Sequence, residues 1–317
     1  MTRPRILLLA KKSALRVHIE GIDADRHARV EALLRAQDPA VSRMEGAHAQ
    51  HEATLDETDR ALAEIGCDVT RVVAAALDEF RVVDPSGHDL VVTVGGDGTL
   101  LAASHDVGPD SALLGVNSSP NHSVGFFCAA KKGTVRATLD LALRGKLRRV
   151  SLARMRVDLN GVCIHRRVLN EALFCHASPA ATSRYILRVS EPDGAYEEEE
   201  QKSSGLWIGP AAGSTAAQRS AGGRVMPLAS TKVQYVVREP YAPYGHRMRL
   251  TLGRVEDGGT LALRNKMPQA KLFLDGEHNV HDVAIGDVVT MRRSEEFVTV
   301  LGLSRNGEGR KAPKKGR

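Results

Sequence analysis

The sequence predicts an α/β domain with a parallel sheet in its first half and a mainly β domain in its second. Three observations carry this. Residues 5–9, 90–94 and 112–116 are short continuous apolar runs with helical segments between them, the signature of strands buried on both faces of a parallel sheet. After about residue 146 the pattern changes to alternating apolar and polar residues cut by N-G, D-G and G-G turns, the signature of antiparallel hairpins. The chain has 317 residues, about twice a typical domain.

Taken in order, RILLL (5–9) is the first strand, and residues 12–54 are polar with a weak helical pattern in HARVEALLRA. Leu55–Ile65 continues as helix and stops at Gly66. CDVTRVV (67–73) reads as a strand, AAALDEF as a short helix, and LVVTV (90–94) as a strand entering the glycine turn GGDGT (95–99). TLLAASHDV is helical, ALLGVN (112–117) is a strand, and 134–144 is a helix with Thr134 as N-cap and Gly145 past its end. The segments ARMRVDLNGVCIHRRVLNEALF, YILRVSEPDGAYEE, RMRLTLGRVEDGGTLALR and KLFLDGEHNVHDVAIGDVVTMRRS supply the β half. The expected domains are 1–133, then 134–295, then a basic tail at 305–317 expected to be disordered.

Composition narrows the function. Apolar residues make up 42% and charged residues 26%, as in globular proteins rather than fibrous or disordered ones. Aromatics are 4% with one tryptophan, Trp207, so stacking platforms for single-stranded nucleic acid are scarce. The net charge is +6, but the last thirteen residues carry five of those charges. The body is nearly neutral, so no nucleic-acid partner is expected. No apolar stretch approaches the roughly 20 residues that span a bilayer, so no membrane partner is expected either. Cys67, Cys128, Cys163 and Cys175 are widely spaced and no secretory leader pattern opens the chain, so a cytoplasmic location is expected.

Three segments are candidates for chemistry. VVTVGGDGTLLAAS (91–104) joins an apolar strand to a helix through Gly95, Gly96, Asp97, Gly98 and Thr99. Glycines admit a close ligand, the helix start favours phosphate, and a carboxylate in the turn can take a proton from an attacking hydroxyl. It is neither a Walker P-loop nor a G-x-G-x-x-G fingerprint, since Leu101 stands at the third glycine position. Asn170 and Glu171 end a strand and offer one amide and one carboxylate, a pair able to divide the hydroxyls of a ribose. Gly213, Ser214, Thr215 and Ala216 form a small-residue loop that a ligand can approach closely. Asp275-Gly276 reads as a hairpin turn, Glu197–Glu200 as a solvated strand edge, and the twelve histidines show no zinc spacing, so no protein-held metal is expected.

The order of these motifs resembles the ATP-NAD kinase family. GGDGT is followed by Gly115–Asn117 with Gly125 and Phe126, then Asn170-Glu171, then Ser204–Leu206 with Gly213–Ala216, then Asp275–Glu277 with Gly286-Asp287. The resemblance covers roughly residues 5–300, and the later elements separate it from other GGDGT kinases. It implies an N-terminal α/β domain and a C-terminal β-sandwich, with about 296–304 returning to the first domain. It implies transfer of phosphate from ATP to the adenosine ribose 2′-hydroxyl of NAD or NADH; Mg²⁺ is expected because the γ-phosphoryl charge must be neutralised and no P-loop lysine is present, and a homo-oligomer of two or four copies is expected. By position, Asp97 resembles the general base with Gly98 beside the ribose. Asn170 and Glu171 resemble ribose and phosphate-side ligands, and Phe126, Thr215 and Ala216 the adenine pocket. Asn117 belongs to the same motif set, and Lys202 stands where the commoner form has arginine.

Two departures stand out. Ser204 and Ala217 replace the aspartate and tyrosine of the commoner bacterial form. QKSSGL (201–206), GVNSSPNHSVG (115–125) and AKKS (10–13) look instead like the branch that includes mitochondrial-type NAD kinases. Two other functions fit the same motifs: a GGDGT-type kinase acting on a lipid or sugar hydroxyl, and a dinucleotide-binding sensor without turnover.

Overall fold

A computed structural model describes residues 3–20, 24–75, 84–242 and 247–303. The expected helix AAALDEF falls mostly, and the tail 305–317 wholly, outside these residues. The chain divides into two compact units: one runs to Val150 and resumes from Thr299, and the other is Ser151–Val298. The helix expected at 134–144 lies in the first unit, so the second begins later than the change of periodicity places it.

The first unit is built on strands β1 (Arg5–Lys11), β2 (Asp68–Ala74), β3 (Leu90–Gly95), β4 (Ala112–Asn117) and β5 (Cys128–Lys131). The parallel order is β2-β1-β3-β4, with β5 also paired to β4. β3 and β4 are buried at every position, which is why they read as unbroken apolar runs. Helices α1 (Ala14–Ile19), α2 (Ala24–Arg35), α3 (Met44–Ile65), α4 (Asp97–Ser104) and α5 (Val135–Leu143) complete it. α3 ends at Gly66 with φ +79, the left-handed stop expected there.

Thr134 occupies the N-cap position of α5, but its side chain bonds Lys131 instead. The capping acceptor is Glu57 on α3, which takes the Gly133 and Val135 amides at 2.9 and 3.3 Å. A carboxylate from another helix thus does what the local threonine does not. The core joins Ile6, Leu8, Val92, Leu114, Leu62 and Leu139 with Leu301, which the returning chain contributes.

The second unit is a β-sandwich. Its strands are β6 (Arg149–Leu159), β7 (Val162–Val168), β8 (Ala172–His176), β9 (Ser183–Ser190), β10 (Tyr196–Ser203), β11 (Leu206–Gly209), β12 (Val233–Val237), β13 (Leu252–Val255), β14 (Thr260–Asn265), β15 (Ala270–Leu274), β16 (Val280–Val283) and β17 (Val288–Leu301). One sheet runs β10-β9-β14-β17 with β6 and β7, the other β13-β12-β11-β8-β15-β16. Met155, Tyr185, Leu187 and Leu261 of the first meet Phe174, Leu206, Ile208 and Leu272 of the second in one core. The last residues of β17 leave this unit, and Thr299 and Val300 pair in parallel with Ala112 and Leu113 of β4. Among the described residues no helix is long and apolar enough to cross a membrane.

Candidate functional site

In the first unit, β3 delivers the chain to Gly95 and Gly96 at the carboxyl edge of the parallel sheet, and α4 starts at Asp97. Neither glycine needs an unusual φ; each is there for closeness. A Cβ on Gly95 would strike the Thr99 side chain, and one on Gly96 would strike Ser123 Oγ. Gly96 O accepts from Thr99 and Leu100, so the Asp97 and Gly98 amides stand ahead of the first intrahelical bonds. No side chain caps this end.

Asp97 is half-buried, and its Oδ1 accepts the Phe127 N–H at 2.8 Å. That bond fixes the carboxylate and leaves Oδ2 for a ligand. Its charge also reaches Cys128, whose thiol is pushed up to about 12, mainly by burial. Gly98 is exposed, whereas Thr99 is buried with an Oγ1 that has no hydrogen-bond partner among the described residues. Phe126 is half-buried and meets Phe127 edge-on at 5.1 Å.

Asn117 ends β4 and spends its amide on the following loop: Nδ2 donates to Ser123 O and Oδ1 accepts from Ser119 N, both at 3.2 Å. Gly125, at φ +63, lies against that amide with no room for a Cβ. The loop 118–125 is thereby drawn over Gly96. These residues, from Gly95 to Phe126, form one neighbourhood.

In the second unit, Leu169, Asn170 and Glu171 precede β8 and are held by Asp275. Its Oδ2 accepts the Leu169 amide at 2.7 Å, and Oδ1 accepts those of Asn170 and Glu171 at 2.7 and 2.9 Å. The Asp275 amide donates back to Glu171 O at 2.9 Å. Asp275-Gly276 does join β15 to β16, but the aspartate is also the clamp for the Asn170-Glu171 turn, a role its sequence context did not reveal. Asp275 sits at φ +52, a left-handed conformation that aspartate tolerates better than most residues. Behind it, the buried Arg154 guanidinium lies 3.8 Å from Glu296. Burial lowers Arg154 to about 10 with help from Arg167, while Glu296 and Asp275 oppose the change.

Glu171 Oε1 accepts from Asn170 Nδ2 at 2.9 Å, and Oε2 is buried without a partner among the described residues. Burial first, then the Asp275 carboxylate, raises its carboxyl from 4.5 to about 8. Because the folded value is the higher one, Glu171 supports folding fully below about pH 4.5, and that support is lost as pH rises through about 8. Glu171→Gln should therefore raise Tm relative to wild type more at pH 9 than at pH 5. Equal Tm differences at the two pH values, in thermal melts, would refute this.

Gly213 approaches the same turn so closely that a Cβ would run into the Asn170 carbonyl. Ser214 is buried, its hydroxyl donating to Ala211 O at 2.7 Å and accepting the Met226 amide at 2.9 Å, so it offers a ligand backbone rather than a free hydroxyl. Thr215 and Ala216 are half-buried where the 3₁₀ turn Ala211–Thr215 passes into α6 (Ala217–Ser220). Asn170, Glu171 and 213–216 thus come together. Lys202, in β10, is opposite Arg184 of β9, and the Ser204 amide donates to the Arg238 carbonyl. Ser204 lines a cavity of about 340 Å³ with Cys175, His176 and Arg238.

Comparison with known proteins bears on both units. The profile of the ATP-NAD kinase N-terminal domain family matches residues 19–147. A probable NADH kinase of Oryza sativa subsp. japonica is 35% identical over 229 residues, 67% of this chain and 70% of that protein. The NADH kinase of Arabidopsis thaliana is 35% identical over 67% of this chain and 72% of its own length. The NAD kinase of Geobacter sulfurreducens is 30% identical, covering 69% and 75%. An NAD kinase from Archaeoglobus fulgidus, solved in complex with ATP, shares the fold: TM-score 0.61, 18% identity, 95% of this chain and 94% of that one.

Proposed function

The chain belongs to the ATP-NAD kinase family, and on that premise we propose that it uses ATP to phosphorylate NAD(H) at the adenosine ribose 2′-hydroxyl, giving NADP(H). The observation that carries the reading is the turn at Gly95–Thr99. There a carboxylate fixed by the Phe127 amide stands at a helix start open to phosphate.

Asp97 takes the proton of the 2′-hydroxyl as that oxygen attacks the terminal phosphorus and the bond to ADP breaks. Asn170 and the mostly neutral Glu171, held by Asp275, bind the dinucleotide through hydrogen bonds. The backbone of 213–216 accommodates adenine. The test is direct: incubation with ATP and either NAD or NADH, with NADP(H) measured by chromatography. Absence of product from both acceptors would refute the reading. Ser204, in a cavity shared with Arg238 and without the commoner aspartate, favours a site that accepts NADH as well as NAD.

No three His, Cys, Asp or Glu side chains gather into a metal cage among the described residues. We propose Mg²⁺ as a companion of the ATP phosphates, with Asp97 the carboxylate on the loop; there it would neutralise charge on the transferring phosphoryl group. Chelator should abolish turnover and excess Mg²⁺ restore it; full activity in EDTA would contradict this. We place the enzyme in the cytoplasm, which suits four free cysteines, as a homo-oligomer of two or four copies, a state that light scattering measures.

A further inference from the structure

We propose that Lys11, held in place by the buried His51–Ser118 pair, supplies the subsite for the phosphate chain of the phosphoryl donor. The inference rests on the kinase reading and assigns residues to the donor side of that site.

The strand order β2-β1-β3-β4 reverses direction between β1 and β3, and ligands of such sheets bind at the carboxyl ends of the strands at that point. Lys11 is the last residue of β1. Ala10 pairs with Val94, and Gly95 with Asn117, so Lys11 and Asn117 stand level with Gly95 on either side. Ser118 follows directly and donates its amide to Gly95 O at 2.9 Å. With neighbouring strands about 4.8 Å apart, Lys11 and Ser118 flank the glycine turn that carries Asp97. From α3, His51 reaches the same edge, its Nδ1 2.8 Å from Ser118 Oγ.

The charge balance calls for an anion. Lys12 has its partner in Glu20 at 2.7 Å, whereas the half-buried Lys11 ammonium has no carboxylate partner among the described residues. Burial lowers its pKa with no opposing charge. His51 is also lowered, mainly by burial and further by Lys11 and His48, with Glu52 and a hydrogen bond to the Lys11 backbone opposing. The Lys11 ammonium therefore sits at a desolvated edge at a cost that an entering anion relieves. The ammonium is a donor with three N–H groups and no partner of opposite charge among the described residues, matching a ligand rich in acceptor oxygens, while the buried His51 ring, bonded to Ser118 Oγ and to the Lys11 backbone, ties the end of β1 to the start of the 118–125 loop. A phosphate chain fits that requirement, and a ribose hydroxyl does not.

The test is calorimetric titration of the full chain and its Lys11→Met and Lys11→Arg variants with ATP, inorganic tripolyphosphate, AMP and NAD(H). Lys11→Met should weaken ATP by about 10- to 100-fold, the loss of one charge-assisted hydrogen bond, and leave AMP and NAD(H) within about twofold. Lys11→Arg should recover most of the ATP affinity. Tripolyphosphate bound as tightly as ATP would identify the chain alone as sufficient, and ATP binding without it would identify the nucleotide as the source; both support the subsite. The His51 ring pKa, followed by NMR, should rise on addition of ATP. Weakened NAD(H) with ATP unchanged would overturn the proposal, as would a lower Tm with every affinity intact. Lys11-dependent ATP binding in a wild type that makes no NADP(H) would instead sink the kinase reading and leave the subsite standing.

Discussion

Asp97→Asn is expected to lower kcat by about 10² to 10⁴, the usual cost of losing a general base. The structure makes this a clean substitution. The asparagine Oδ1 still accepts the Phe127 N–H that now fixes Asp97 at 2.8 Å, so the turn keeps its position. The helix start, Gly95, Gly96 and Thr99 are untouched, and phosphate binding there should persist. What disappears is an oxygen able to hold a proton. The expected pattern is a large fall in kcat with KM for NAD(H) and ATP changed by no more than a few-fold, read from initial rates alongside a thermal melt. A folded variant with near wild-type kcat would mean that the proton leaves by another route.

The second large effect is expected at Asp275. Its carboxylate is the acceptor for three successive amides, those of Leu169, Asn170 and Glu171. Asp275→Ala leaves all three without it and forces alanine into φ +52. Each lost bond to a charged acceptor is worth about 1.5–3 kcal/mol, and water recovers part of it at this half-buried site, so a net loss of about 3–5 kcal/mol is expected. KM for the dinucleotide should rise with it, because Asn170 and Glu171 lose their frame. Asp275→Asn tolerates the left-handed backbone and keeps one acceptor oxygen, so it should fall between the two in denaturant midpoint and in KM. An alanine variant with wild-type midpoint and KM would refute the clamp.

Legibility of the sequence varied with how each element is buried. β3 and β4 were plain because strands covered on both faces must be apolar throughout. α3 was legible only in part: helix was expected along much of 12–65, but its start at Met44 and its burial were not, because its buried face includes His51, Thr54 and Thr58. Those polar residues weaken the apolar period by which a helix is recognised. Their burial is compensated by partners far away in the chain, such as Ser118 for His51 and Thr54.

By itself the sequence carried the resemblance to the family, through the order of its motifs, and the two-part architecture with the positions of the Gly95–Thr99 turn, Asn170-Glu171 and the 213–216 loop, because local residue types and periodicity encode them. Only the tertiary structure decided what holds them. Asp275 reaches back about a hundred residues to clamp the Asn170-Glu171 turn, Gly213 is small because the Asn170 carbonyl lies against it, and Phe127 orients Asp97. Lys11, His51 and Ser118 come from three separate segments and meet only because β1, β3 and β4 lie side by side with α3 across their edge. Hydrogen bonds and desolvation depend on distance in space, and a chain read residue by residue carries that distance only where partners are neighbours in sequence.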